Sequence, residues 1–148
     1  MALLVVALGT LWAIGYALSR PARARLGMPP SELGAEVVQI RRGAGPPLAG
    51  WLARGVAGRG AVLLLHPLRG NRASMLGRAR FLHRAGYTVL LVDLPAHGES
   101  AGDRITFGVR ESDGARAALD YLRRAAPDWL AGPSQIRHSH GWSAVQCG

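Results

Sequence analysis

The chain has 148 residues, of which 49% are hydrophobic, enough for one buried core and too many for general disorder. Its formal net charge is +9, yet all 18 basic residues are arginine, and no basic helix, aromatic stacking platform or zinc-ligand spacing accompanies them; a nucleic-acid partner is not expected. Cys147 is the single cysteine, which excludes an internal disulfide and a cysteine-based metal cluster.

Residues 1–18 carry no charged side chain, and Arg20, Arg23 and Arg25 follow at once. This is an apolar helix with a basic stop, a little short of the roughly 20 residues that cross a hydrocarbon core and near the upper end of a signal-peptide apolar region. A membrane anchor over residues 1–19 is the preferred reading, and export after signal cleavage is the alternative. Three features favour the anchor: no basic residue precedes the run, Pro21 follows the best small-residue site at Ala17 and Ser19, and Arg23 sits in the centre of Ala22-Arg23-Ala24. The arginines should then hold the following chain in the cytoplasm. Residues 20–33 read as a juxtamembrane linker in which Pro29-Pro30 prevents helix continuation.

Apolar runs at residues 37–40 and 48–53, separated by Arg41-Arg42-Gly43-Ala44-Gly45-Pro46-Pro47, predict a β-hairpin. The run Ala61-Val62-Leu63-Leu64-Leu65 predicts a strand covered on both faces in a largely parallel sheet. Residues 72–85 place Met75, Ala79 and Leu82 at helical spacing, and Gly86 closes that helix. A second buried strand at residues 88–92 completes a βαβ unit. Residues 110–124 then set Val109, Ala117, Leu119 and Leu122 among charged side chains, as in an amphipathic helix.

Both strands end in polar loops. After the first comes His66-Pro67-Leu68-Arg69-Gly70-Asn71-Arg72; after the second comes Asp93-Leu94-Pro95-Ala96-His97-Gly98-Glu99-Ser100. Together with Phe81-Leu82-His83-Arg84-Ala85-Gly86-Tyr87, the pair resembles the α/β-hydrolase superfamily over roughly residues 34–127, and the N-terminal segment is similar to that of anchored bacterial members. The resemblance implies that both loops share one rim of the sheet. It also implies that the first loop aims a backbone N–H at the oxyanion of acyl transfer. Where the family has glycine this chain has Pro67, which offers no N–H, so Leu68 is the candidate donor. By the same resemblance His66 braces its loop, and Asp93, His97, Gly98 and Ser100 shape a tight turn in which only Gly98 is free to take certain backbone angles. Asp93, His97 and Ser100 lie too close along one loop for a catalytic triad. Asp103, Glu111 and Asp113 read as loop and helix-start decoration.

The family continues with an apolar strand and Gly-x-Ser-x-Gly, whereas residues 128–148 offer two imperfect fits. Ser139 in Arg137-His138-Ser139-His140-Gly141 keeps the last glycine, and Ser143 in Gly141-Trp142-Ser143-Ala144-Val145 keeps the first. His138 and His140 have no third ligand, so no metal is expected, and no cofactor is implied. The expectation is an α/β chain, a partial α/β-hydrolase fold with a largely parallel sheet behind an N-terminal transmembrane helix: anchor 1–19, linker 20–33, hydrolase portion 34–127, and an atypical tail 128–148 that reads as frameshifted or truncated and not as the family's continuation. The activity the resemblance implies is serine hydrolysis of a small ester, lipid or peptide-like carbonyl, with this chain inactive because its triad is incomplete. The rival expectation is a catalytically dead, membrane-associated interaction protein built on a partial sheet.

Overall fold

A run of apolar, mostly helix-favouring residues forms helix α1 (Ala2–Ser19), and Pro21, which cannot continue it, follows Arg20. The computed structural model describes residues 1–127 of the chain. At about 1.5 Å per residue, α1 is close to the thickness of a hydrocarbon core. It buries no residue against the rest of the chain, and it is long and apolar enough to cross a membrane or to be a signal sequence.

The segment after α1 is not a free linker. Strand β1 (Ala22–Arg23) pairs in parallel with β6 (His97–Gly98), Ala22 opposite His97 and Arg23 opposite Gly98. A 3₁₀ turn at Ser31–Leu33 then drives Leu33 into the core beside Trp51, Met75 and Val89. Composition alone marks this stretch as a linker because prolines and arginines dominate it. Its leucines and backbone amides nevertheless find partners, so packing reaches back from residue 34 to Ala22.

The hairpin is β2 (Glu36–Arg42) and β3 (Gly45–Ala53), paired antiparallel with Ile40 opposite Leu48 and a register irregularity between Ile40 and Arg42. The turn is tighter than the sequence suggests, since Pro46 and Pro47 belong to β3. They are tolerated there because β3 pairs with its other neighbour, β5 (Thr88–Val92), only from Gly50 to Ala53, so their missing N–H groups interrupt no ladder on that side.

Strand β4 (Ala61–Leu65) pairs in parallel with β5 from Ala61–Thr88 to Leu65–Val92, giving the order β2-β3-β5-β4. All five residues of β5 are buried, and alternation sends Val89 and Leu91 to one face, Leu90 and Val92 to the other. The first face packs with Trp51 and Ala79, under helix α2 (Leu76–Arg84); the second packs with Ala118 and Leu122 of helix α3 (Val109–Ala125). The result is a three-layer α/β/α arrangement. Among the described residues β4 is an edge strand, with Leu65 38% exposed, so the double coverage expected of it is incomplete. The helix expected over residues 72–85 opens as a 3₁₀ turn, Arg72–Met75, capped by Asn71 Oδ1 accepting from Ala73 N–H at 3.1 Å. Its end is a two-bond cap in which Gly86 N–H donates to His83 O and Tyr87 N–H to Leu82 O, made possible by φ +90° at Gly86. In α3 the buried stripe runs through Gly114, Ala118 and Leu122; Val109, expected on the apolar face, is exposed because it opens the helix before that stripe begins.

Candidate active site

Because β4 and β5 run parallel and in register, the loops that follow Leu65 and Val92 leave the same end of the sheet. Their imidazoles interlock. His66 Nε2 accepts from Leu94 N–H at 3.1 Å, so its Nδ1 carries the proton and donates to Pro67 O at 2.8 Å. His97 repeats the pattern: Nε2 accepts from Arg69 N–H at 3.2 Å and Nδ1 donates to Pro95 O at 2.9 Å. Each ring thus ties the two loops together, and the rings lie 4.8 Å apart. Burial pushes the His66 pKa below its ordinary value, with neighbouring His97 acting in the same direction and the Pro67 carbonyl and Asp93 opposing. A neutral His66 is what an accepting Nε2 requires.

These bonds leave the amide after Pro67 open. Pro67 has none, Arg69 N–H is held by His97, and Gly70 N–H donates to Pro67 O at 2.9 Å. Among the described residues nothing accepts from Leu68 N–H, and its side chain is exposed. The sequence-predicted donor is therefore an amide that the loop's own bonding leaves open.

The second loop is organised around a buried arginine that sequence reasoning passed over. Arg72, fully buried, donates through its guanidinium to Asp93 Oδ2 and to Glu99 Oε2, and its backbone N–H donates to Asp93 Oδ1 at 2.6 Å. Asp93 Oδ2 also accepts from Glu99 N–H at 2.9 Å. Ser100 Oγ donates to Asp93 O at 2.6 Å and accepts from Ala49 N–H at 2.9 Å, so its only proton is committed within the turn. Gly98 sits at φ +50°, and a Cβ there would overlap the Asp93 carboxylate, so the turn closes only with glycine. Glu99 Oε1 accepts from Leu26 N–H at 2.8 Å and Gly27 N–H at 3.1 Å, pinning the segment after α1 to the rim. The Arg72 hydrogen bond, helped by the Leu26 amide, brings the Glu99 pKa down to about 2. The signal for Arg72 was present in the sequence: a cation at the start of the helix that follows one loop, and two carboxylates six positions apart in the other.

Glu111, read from sequence as decoration, is an internal cap for α3. It accepts from Thr106 N–H and Gly108 N–H, each at 2.8 Å, and from Thr106 Oγ1 at 2.7 Å. Burial pushes its pKa up, but these donors outweigh burial and hold it below the usual value. Asp103 pairs with Arg110 and stays on the surface. Ser139 and Ser143 lie outside the described residues. Among the described residues no serine hydroxyl bonds a histidine ring, and no cluster of side chains is arranged to hold a metal ion.

No family model matches the sequence, and no curated protein matches it. Solved structures do. An esterase of Pyrococcus furiosus superposes with a TM-score of 0.65 and 28% identity over 74% of this chain and 42% of its own. This chain is a relative of the α/β-hydrolase superfamily. A lidless α/β serine hydrolase from Xanthomonas campestris shares the fold, with a TM-score of 0.54 and 24% identity over 70% of this chain and 50% of its own. So does an α/β serine hydrolase homologue from Coxiella burnetii, at 0.51 and 23% over 63% and 47%. The chain thus spans half or less of the length of these proteins.

Proposed function

We propose that this chain carries the oxyanion-stabilising part of a membrane-anchored α/β-fold serine hydrolase that acts on an ester or peptide-like carbonyl. The observation that carries the reading is the open amide at Leu68, in a loop whose Arg69 and Gly70 amides are engaged and whose flanks are held by His66 and His97. In such chemistry a serine Oγ attacks the carbonyl carbon and gives up its proton to a base. The carbonyl oxygen takes the electron pair and is stabilised by preorganised N–H donors; collapse then expels the alcohol or amine, and water later releases the acid. Acyl transfer of this kind uses no cofactor. His66 and His97 are braces here, not bases, since both ring nitrogens of each are bonded to backbone.

The nucleophile would come from outside the described residues. Ser139 and Ser143 are the candidates, and each lacks one glycine of the Gly-x-Ser-x-Gly turn, so the chain by itself is proposed to be inactive. The apolar helix α1 supports anchoring, because it meets a bilayer's length requirement with no polar face to bury elsewhere.

Two measurements test this. Selective labelling of Ser139 or Ser143 in the purified chain by a fluorophosphonate would overturn the inactivity. Reading the coding sequence beyond residue 127 in all three frames should recover an apolar strand, Gly-x-Ser-x-Gly and a later acid and histidine; in the protein completed that way, Leu68→Pro should lower kcat by about 10²- to 10³-fold. Failure to find those elements in any frame removes the hydrolase reading.

A further inference from the structure

Among the described residues, three other than glycine hold a positive φ: Arg69 at +61°, Ala96 at +63° and Phe107 at +50°. Such residues stay in that region only where their surroundings hold them. All three sit in the loops of the rim or just after them, and two of those loops are fastened to the end of α1. Arg69 Nη1 donates to Leu18 O at 3.2 Å and Arg20 O at 3.3 Å, and Ile105 N–H donates to Ser19 O at 2.8 Å. Carbonyls at the C-terminus of a helix have no partner within the helix. Here the rim supplies partners, so the last turn of α1 and the loop that carries Leu68 are joined directly.

The chemistry around that joint is graded as a bilayer interface is graded. On the last turns of α1, Trp12 and Tyr16 stack with ring centroids 5.5 Å apart, and Arg20 stands 6.0 Å from the Tyr16 ring. Arg20, Arg23, Arg25 and Arg69 are exposed, and none has a carboxylate partner among the described residues. In the same segments and in the stretch that follows Ile105, Met28, Leu68, Phe107 and Val109 expose large apolar side chains. Arginines whose charge no carboxylate balances, interspersed with exposed apolar side chains, suit an anionic headgroup layer, each arginine near such a surface contributing about 1 kcal/mol of attraction. The opposite end of the sheet is built differently: there Val56 N–H bonds Gly86 O at 2.8 Å, at the start of β5, and α1 makes no hydrogen bond to it.

We infer that the rim carrying Leu68 and His97 is an interaction surface for the headgroup layer of an anionic bilayer, with Arg20, Arg23, Arg25 and Arg69 against lipid phosphates. The inference rests on the anchoring proposed above and not on catalysis. It places the open Leu68 amide at the level where an acyl ester of a membrane lipid would present its carbonyl.

The test uses the full chain with Cys147→Ser and one introduced cysteine carrying a fluorophore: Leu11→Cys within α1, Leu68→Cys on the rim or Arg104→Cys beside the Ile105 amide that bonds Ser19 O, Val56→Cys at the far end. Each is placed in vesicles of phosphatidylcholine and phosphatidylglycerol bearing either acyl-chain bromine or a headgroup spin label. The expected pattern is acyl-chain quenching at position 11, and headgroup quenching several-fold stronger at positions 68 and 104 than at 56, weakening when phosphatidylglycerol is omitted. Quenching at 11 with equal signals at 68, 104 and 56 overturns the inference and leaves anchoring intact. No quenching at 11 overturns anchoring, and the inference with it. Rim quenching that ignores phosphatidylglycerol overturns the anionic assignment. The paired rim labels guard against damage by either substitution.

Discussion

The guanidinium carbon of Arg72 stands 4.4 Å from the centroid of the Trp51 indole, so one buried cation is held by an aromatic face on one side and by Asp93 and Glu99 on the other. The contact joins the centre of the sheet to the loop that closes the rim, and it makes the rim's shape depend on a charge that water does not reach.

Removing that charge should be costly. Arg72→Met leaves Asp93 buried without its partner, and the expected loss of folding stability is about 3–5 kcal/mol. Arg72→Lys should recover only part of it, because an ammonium cannot serve two carboxylates and stack on Trp51 with the geometry of a planar guanidinium. Urea denaturation of the detergent-solubilised chain measures both; equal stability of Met and Lys variants would show that the charge has no role.

Gly98→Ala combines two penalties. The left-handed backbone angle costs about 1–2 kcal/mol for a residue with a Cβ, and the added methyl must displace the Asp93 carboxylate that Arg72 and Glu99 share. A melting temperature within error of the parent would contradict the described turn.

Acid should loosen the rim through Glu99. Its folded pKa lies near 2, below its ordinary 4.5, so the folded state favours the ionised form. The stabilisation is therefore complete above about pH 4.5 and is lost as pH falls toward 2. Glu99→Gln should flatten the stability profile across that window while leaving the slope at higher pH unchanged. A profile identical to the parent would remove Glu99 from the linkage.

Amide exchange reads the oxyanion loop without any enzyme assay. The Leu68 amide should exchange close to its unprotected rate, while Arg69 and Gly70 are protected by His97 Nε2 and Pro67 O. In His97→Phe the Arg69 amide should lose protection, and Gly70 should change less. Strong protection of Leu68 in the parent would mean that its N–H already has a partner, and the candidate donor would be lost.

The sequence by itself determined the apolar N-terminal helix, the hairpin, the βαβ unit and the amphipathic helix that follows, and their order. Short apolar runs rich in leucine and valine are strands, a gap of about helix length between two of them makes their pairing parallel, and parallel pairing brings the loops after Leu65 and Val92 to one edge. Through its resemblance to the α/β hydrolases it also pointed to Leu68, because Pro67 stands where the family has glycine and offers no N–H. Tertiary structure alone decided what holds that edge together. Burial of Arg72, the partners of Glu99, the docking of residues 22–27 beside His97 and Gly98, and the fastening of Arg69 to the end of α1 all join positions distant in the chain. Arginine-rich and proline-rich stretches look solvated when read locally. Which of their cations are buried depends on whether carboxylates and aromatic faces arrive from elsewhere, and periodicity carries no record of that.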